Sequence, residues 1–311
     1  MYLNSFSKSL KEIKKDYYLE QLINREGNGL IKIVTGIRRC GKSYLLRTLF
    51  KNHLLENGVD EKHIIEMAFD LYYFLLDEVQ LLDEFVSVLN GLADKKNCDV
   101  FVTGSNAKFL SRDIATEFGG RGDEVHMYPL SFSEFMSCYD GWNEYITYGG
   151  IPLVVLAETD EQKVNLLNNL FQETYISDIV KRNKIRNVGE MESLLDVLAS
   201  AIGALTNPNK LQKTFKSVNN SKITATTITK YIEYLEDAFL IEEANRYDIK
   251  GKSYIGTPMK YYFMDMGLRN SRIHYRQLEV THSMENVIYN ELRMRVSIRD
   301  RAICVHTIFI K

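Results

Sequence analysis

One stretch constrains the fold of this chain more than any other: residues 36–43, which read GIRRCGKS. They fit the pattern G-x-x-x-x-G-K-[ST] of a phosphate-binding loop. The apolar, β-branched run 30–35 precedes them, and a run with helical spacing, 44–55, follows. Because a strand, a glycine-rich turn and a helix in this order form the context that such a loop requires, the sequence predicts an α/β fold with a parallel sheet. An accidental glycine-rich turn is the alternative.

The residue types of the loop indicate how it would hold a nucleotide. Gly36 and Gly41 allow backbone angles that a side chain would forbid, so that successive N–H groups face phosphate oxygens. Lys42 is expected to reach the β- and γ-phosphates of ATP, and the Ser43 hydroxyl to bind Mg²⁺. We expect ATP to contact the whole loop and the first residue of the helix: Gly36, Ile37, Arg38, Arg39, Cys40, Gly41, Lys42, Ser43 and Tyr44.

An acidic pair ends the next long apolar run. Residues 64–76 (IIEMAFDLYYFLL) lead into Asp77 and Glu78, which is the Walker B pattern of a strand followed by Asp-Glu. Asp77 would hold the Mg²⁺ shell, and Glu78 would orient and polarise the attacking water. A strand end with two solvated carboxylates fits the same letters.

A polar side chain follows the strand predicted at 99–103. Asn106, or its neighbour Ser105, would sense the terminal phosphate or position water. A plain N-cap for a helix at 107–118 explains Asn106 as well.

Arg121 lies on a glycine-rich turn just before the strand predicted at 124–130. An arginine there would reach the site of a neighbouring copy in a homo-oligomer and neutralise transition-state charge. An ordinary turn arginine is the alternative.

The rest of the chain reads as helices followed by a hairpin. Residues 131–190 are predicted as a helical lid on the nucleotide site. Beyond them, three helices and two strands predict a winged helix, with segments 191–205, 209–218, 224–240, 240–247 and 259–264. The predicted domains are a P-loop core (1–130), the lid (131–190), the winged helix (191–264) and a tail (265–311).

The third helix of this winged helix is acidic over half its length, so we favour contact with an unknown protein partner, or a spacer role, over DNA reading. Phosphate contacts by nearby lysines remain the alternative, from Lys210, Lys213, Lys216 and Lys222.

Composition and net charge do not indicate a function, but they argue against several kinds of partner and site. A net charge of −2 gives no general electrostatic case for nucleic acid or a membrane surface. The four cysteines are scattered without a C-x-x-C pair, which does not indicate disulfides or zinc. The polar N-terminus and the lack of a long apolar run favour a cytoplasmic protein and no membrane contact.

The ordered series GIRRCGKS, LLDEVQ, TGSNAKFL, GRGDEVHMYPLSFSEF, YGGIP, YYFMDMGLRN and ENVIYNEL resembles one prokaryotic family. It is similar to AAA-type P-loop ATPases that carry a winged helix and an uncharacterised C-terminal domain. The resemblance implies an AAA-type parallel sheet, ATP–Mg²⁺ at the loop, Walker B at Asp77 and Glu78, and Arg121 in the family's Gly-Arg turn. It also implies a restriction-endonuclease-like tail, with Glu285 on its first helix.

The chain departs from that family pattern in two places. Asp70 runs directly into Leu71, although neighbouring parallel strands need a crossover of a dozen or more residues. We therefore predict that 64–70 does not pair in parallel beside 71–77. The chain also stops at Lys311, before the metal-binding elements of a nuclease, so that we expect a truncated tail and no nuclease activity.

Two functions follow from these patterns, and a DNA-binding regulator that uses Lys210, Lys213 and Lys216 is a third possibility. The first is Mg²⁺-dependent ATP hydrolysis. The second is a nucleotide-gated module that binds a protein or DNA with little or no turnover.

Overall fold

The computed structural model of the chain describes residues 16–64, 72–79, 84–95, 97–105, 122–139, 141–219, 221–244, 259–276 and 280–295. A four-stranded parallel sheet forms the first part of the fold, with the order β2-β3-β1-β4. Its strands are β1 (Ile31–Thr35), β2 (Tyr72–Leu76), β3 (Cys98–Thr103) and β4 (Gly122–His126). Because all four run the same way, their carboxyl ends share one edge of the sheet.

The strands β1 and β3 lie at the centre of this sheet. Every residue of β1 is buried, as expected for a parallel strand covered on both faces. Ile33 of β1 pairs with Val102 on one side and with Glu124 on the other. The strands predicted at 30–35 and 99–103 are confirmed.

The strand predicted at 124–130 is corrected: β4 covers 122–126. The chain leaves the sheet before Pro129, whose nitrogen has no hydrogen to donate. Beyond it, the Leu130 N–H bonds to the carbonyl of Gly150 at 2.8 Å.

Helices cover both faces of the sheet. On one face, Phe50 packs against Phe101 of β3 with 4.4 Å between ring centroids. On the other, Leu89 packs in a separate cluster with Ile33 and Val102. The helices are α1 (Asp16–Ile23), α2 (42–56, with a π-helical stretch at Leu45–Phe50) and α3 (Phe85–Ala93).

The region predicted as helical, 131–190, is helical. Two capping boxes start its helices, Ser131 with Glu134 and Thr159 with Gln162. The helices are α4 (Phe132–Cys138), α5 (Trp142–Tyr148), α6 (Pro152–Val155) and α7 (160–183, with a π-helical stretch at Leu170–Ile176).

Three helices and an antiparallel hairpin follow, and Thr206 forms an extra antiparallel bridge to Met259. The predicted helix 191–205 lies at 188–200, because the Asn187 side chain caps it and it ends before Gly203, whose φ is 70°. The elements are α8 (Val188–Ser200), α9 (Pro208–Asn219), α10 (Ala225–Asp237), β5 (Ile241–Ala244) and β6 (Lys260–Phe263).

A buried polar joint ties this part to the helices before it. The Asp265 carboxylate accepts hydrogen bonds from the N–H groups of Gly150 at 2.7 Å and Leu268 at 3.1 Å. Asn270 donates to the carbonyl of Ile146 at 2.7 Å. The last described helices are α11 (Met266–Arg272), which follows Asp265, and α12 (Val280–Arg295).

Three predictions about organisation stay predictions. Ile64 lies in a turn after a short 3-10 helix, but residues 65–71 lie outside the described ones, so the pairing of 64–70 is untested. The boundaries of the four predicted domains and the truncated tail are likewise untested. Among the described residues, none of the helices has the length and apolar character needed to cross a bilayer.

Candidate functional site

The loop 36–43 joins β1 to α2 at the carboxyl edge of the sheet. Gly36 has a φ of 138° and Gly41 a φ of 103°, which is the region that favours glycine. A Cβ on Gly36 would lie 1.9 Å from the carbonyl oxygen of Met127. The loop is therefore wrapped closely around the chain that follows β4, and Cys40 Sγ donates to the same carbonyl at 3.4 Å.

The Lys42 side chain is buried inside this loop. Its Nζ donates to the carbonyl oxygens of Gly36 and Ile37, both at 3.0 Å. An ammonium group has three N–H donors, and the loop carbonyls take two of them. A positive charge is thus held at the centre of the glycine-rich turn.

Two oxygen side chains meet next to the loop. Ser43 Oγ donates to Asp77 Oδ1 at 3.2 Å, and Thr103 Oγ1 also donates to that oxygen. Thr103 in turn accepts a hydrogen bond of 2.9 Å from the N–H of Glu78. Arg47 of α2 lies 3.3 Å from the other carboxylate oxygen of Asp77. The end of β3 therefore fixes both acidic residues that follow β2.

Glu78 itself has a φ of 52°, a conformation uncommon for residues with a side chain. Its carboxylate accepts a hydrogen bond of 3.1 Å from Ser105 Oγ. Ser105 Oγ also accepts one of 3.3 Å from Arg38 Nε in the loop. The acidic residue is thereby held at the carboxyl edge of the sheet, on the side of the phosphate-binding loop.

Comparison with protein families identifies two matching regions. Residues 28–136 match a family described as an AAA domain, and residues 139–279 match a domain of unknown function (DUF8612). An uncharacterized protein of Haemophilus influenzae is 32% identical, over 91% of this chain and 79% of its own length. The chain belongs to the same family as that protein. It is an AAA-domain protein, as the sequence motifs indicated.

One further protein is similar to this chain in sequence, and one solved structure is similar to it in fold. An uncharacterized protein of Methanocaldococcus jannaschii is 27% identical over 93% of this chain and 71% of its own. A Walker-type ATPase of Pyrococcus abyssi superposes with a TM-score of 0.59 at 15% identity, over 84% of this chain and 96% of that one. The P-loop ATPase fold of this AAA-domain protein is thus confirmed.

The two sequence alignments are longer than the part of this AAA-domain protein that they cover. They run over 319 and 324 positions, yet cover only 91% and 93% of a chain of 311 residues. Both relatives therefore carry residues that have no counterpart here.

Most of the predicted site residues of the AAA domain come together. Lys42, Ser43, Asp77 and Glu78 lie around one end of the loop. The Ile37 and Cys40 side chains are fully buried in the core, so these two residues face the loop interior only through their backbones. Arg39 is exposed, and 42% of Tyr44 is exposed.

Asn106 and Arg121 lie outside the described residues, so that their predicted roles are untested. Glu285, which the resemblance places on a helix of the tail, lies on α12. It accepts a hydrogen bond of 2.6 Å from the Tyr262 hydroxyl and pairs with Lys260. The winged helix and the endonuclease-like tail stay predictions.

Thr103, Arg47 and the partners of Arg38 were not predicted from the sequence. Thr103 is the last residue of a central strand beside the loop strand, and a polar residue at that place was a usable signal. Arg47 follows Ser43 by one helical turn, which puts it on the same side of α2.

The AAA domain presents few protein ligands for a metal. Among the described residues, no group of three or more His, Cys, Asp or Glu side chains could bind one. Ser43 and Asp77 supply two oxygens at one point. This set fits Mg²⁺, which uses one or two protein oxygens and completes its shell with phosphate and water.

Proposed function

We propose that this AAA-domain protein binds ATP with Mg²⁺ and hydrolyses it. One observation supports this most strongly: Lys42, Ser43, Asp77 and Glu78 meet at one end of the loop, although they come from two segments 34 residues apart. The four are a cation, a hydroxyl and two carboxylates, which is the set that phosphoryl transfer requires.

Binding of the triphosphate would rest on the loop and on Lys42. The loop N–H groups and the amino end of α2 attract the phosphates. Lys42 now bonds to Gly36 and Ile37, so that its ammonium group needs only to exchange carbonyl oxygens for phosphate oxygens. Because its charge is already desolvated, the protein incurs little further desolvation of this group on binding.

Ser43 and Asp77 would hold the Mg²⁺ ion. A Mg²⁺ ion held there would supply positive charge that neutralises the charge developing on the phosphate groups. The hydrogen bond that now joins Ser43 to Asp77 would open, and both oxygens would face the ion. Thr103 would keep the Asp77 carboxylate in place through its own hydrogen bond.

Glu78 would act on the water. Its carboxylate would accept a hydrogen bond from the water molecule that attacks the γ-phosphorus. The water oxygen forms a bond to that phosphorus while the bond to the bridging oxygen breaks; ADP leaves, and the protons of the water end on the released phosphate and in solvent. The Glu78 backbone is fixed by Thr103, and its side chain by Ser105. Asn106 and Arg121 are proposed to help, Asn106 near the terminal phosphate and Arg121 from a neighbouring copy.

The proposal includes a winged helix at 191–264. The order α8, bridge, α9, α10, β5, β6 supports it, because the isolated bridge between Thr206 and Met259 brings the chain before α9 beside the hairpin. We propose a protein partner for this region, since Glu233 is exposed on α10 and would repel the phosphates of DNA.

The test is Mg²⁺-dependent phosphate release measured beside nucleotide binding on the same sample. We expect repeated turnover in the wild type, and turnover reduced by at least about 100-fold in Glu78→Gln with ATP affinity retained. Glu56→Gln, an exposed residue at the end of α2, is the matched control. Tight binding without turnover in the wild type would instead support the nucleotide-gated module.

A further inference from the structure

A line of hydrogen-bonded and charged side chains runs from the AAA domain into α7. Its members are Glu78, Ser105, Arg38, Asp178 and Arg182. The first three lie in the part that matches the AAA domain, and the last two in the part that matches the domain of unknown function. The line therefore joins the water-orienting carboxylate to a helix of the second matched region.

The two hydrogen bonds in this line both donate toward Glu78. Arg38 Nε donates to Ser105 Oγ at 3.3 Å, and Ser105 Oγ donates to Glu78 Oε2 at 3.1 Å. A serine hydroxyl has one hydrogen and rotates to suit its partners. Because the guanidinium N–H occupies a lone pair of Ser105 Oγ, the hydroxyl hydrogen is directed to the carboxylate. Arg38 is thus linked to Glu78 through Ser105.

The helix α7 holds Arg38 at two points. The Tyr175 hydroxyl donates to the backbone carbonyl of Arg38 at 3.1 Å. One turn later, Asp178 Oδ1 forms an ion pair with Arg38 Nη2 at 3.1 Å, and Arg182 pairs with the other oxygen of Asp178. A guanidinium group suits this task, since its planar fork presents Nε to one partner and Nη2 to another.

We propose that Arg38 is a positioning residue for Glu78, and that Asp178 on α7 sets the position of Arg38. The inference rests on the proposed ATP hydrolysis, which it deepens. A displacement of α7 would move Asp178, release the guanidinium and free the Ser105 hydroxyl to turn away from Glu78. The second matched region would in this way control how well water is oriented, without touching the nucleotide.

The test is a double-mutant cycle on turnover. Arg38→Ala and Ser105→Ala are each expected to lower kcat about 10-fold with KM changed less than about 2-fold, because neither holds the phosphates. The double variant is expected to be no slower than either single variant, since both changes break one chain. Ser105→Thr, which keeps the hydroxyl, is expected to restore most of the rate.

A second double-mutant cycle, with Asp178→Asn, tests whether Asp178 acts through Arg38. It is expected to lower kcat about 3-fold, and to have no effect in the Arg38→Ala background. Lys181→Ala, at an exposed residue of the same helix, is the control and should turn over as the wild type does. In the nucleotide-free protein, the shifts in unfolding temperature for Arg38→Ala and Asp178→Asn should also be less than additive.

The outcomes separate the two proposals. A wild type that releases no phosphate would overturn both. A wild type that turns over, with multiplying effects of Arg38→Ala and Ser105→Ala or a large rise in KM, would overturn the inference alone. In that case Arg38 would act on the nucleotide directly.

Discussion

The hydroxyl of Ser43 donates a hydrogen bond of 3.2 Å to Asp77, which lies 34 residues further along the chain. Ser43 is near the start of the helix after β1, and Asp77 follows β2 directly. The strand β3 lies between β1 and β2, and its last residue, Thr103, donates to the same carboxylate. Polar residues at or beyond the ends of three parallel strands thus meet at one point of the shared edge, where we propose that a cation and a phosphate bind.

Ser43→Ala is predicted to weaken ATP binding at least about 10-fold when Mg²⁺ is present, because it removes one of the two protein oxygens for the ion. Affinity measured with a chelator should barely change, since Lys42 and the loop amides remain. Ser87→Ala, at an exposed residue of α3, is the control and should bind as the wild type does. Equal weakening with and without Mg²⁺ would show that Ser43 has another role.

Gly36→Ala is predicted to be severely destabilising. The added methyl group would lie 1.9 Å from the Met127 carbonyl oxygen, at a φ of 138° that residues with a side chain rarely adopt. We expect a loss of about 3 kcal/mol in the free energy of unfolding, measured by urea denaturation. Gly91→Ala in α3 is the control: a Cβ there meets nothing within 4 Å, and helical alanine should add about 0.5 kcal/mol. Similar effects at both glycines would refute this account.

The loop, the strands β1 and β3 and the pair Asp77–Glu78 could be predicted because each depends on a local pattern of apolar and special residues. The contacts of Arg38 could not. Its carbonyl accepts from Tyr175, 137 residues away, and nothing near either residue in the sequence indicates that they meet. The end of β4 was misjudged because apolar residues continue past His126, while the missing N–H of Pro129 turns the chain away.

Asp265→Asn is predicted to destabilise the joint between the YGGIP and MDMGLRN motifs. Both carboxylate oxygens accept backbone N–H groups, from Gly150 and Leu268, so an amide would set its own N–H against one of these donors. We expect a cost of about 2 kcal/mol by urea denaturation at pH 5, where removal of the buried charge does not offset it. Glu158→Gln, at an exposed residue, is the control and should leave the free energy of unfolding almost unchanged. If Asp265→Asn has as small an effect as this control, the joint tolerates an amide.

The Asp265 joint should also make stability depend on pH. Burial raises the pKa of Asp265 to about 6, even though the hydrogen bonds that its carboxylate accepts from backbone N–H groups act to lower it. The folded protein therefore binds a proton more readily than the unfolded chain, and stability falls as the pH rises through about 6. Asp265→Asn should lose this slope.

Glu236 on α10 is also predicted to make the protein less stable as the pH rises, but near pH 7. Burial raises its pKa to about 7, and the carboxylates of Glu243, Glu242 and Asp237 add to the rise, while a hydrogen bond from the Glu243 N–H opposes it. The stability that protonated Glu236 contributes is full below the unfolded pKa near 4.5 and is lost as the pH rises through 7.

Glu236→Gln removes this titration and keeps an oxygen that can accept from the Glu243 N–H. The neighbouring charges stay in place, because Glu242 pairs with Arg293 and Glu243 accepts from the Tyr261 hydroxyl. We expect the variant to be more stable than the wild type by about 2 kcal/mol at pH 8, and the difference to vanish near pH 4.5. Urea denaturation at both pH values measures it, with the exposed Glu233→Gln on the same helix as the control. A variant less stable than the wild type at pH 8 would show that Glu236 is ionised at little cost in the folded protein.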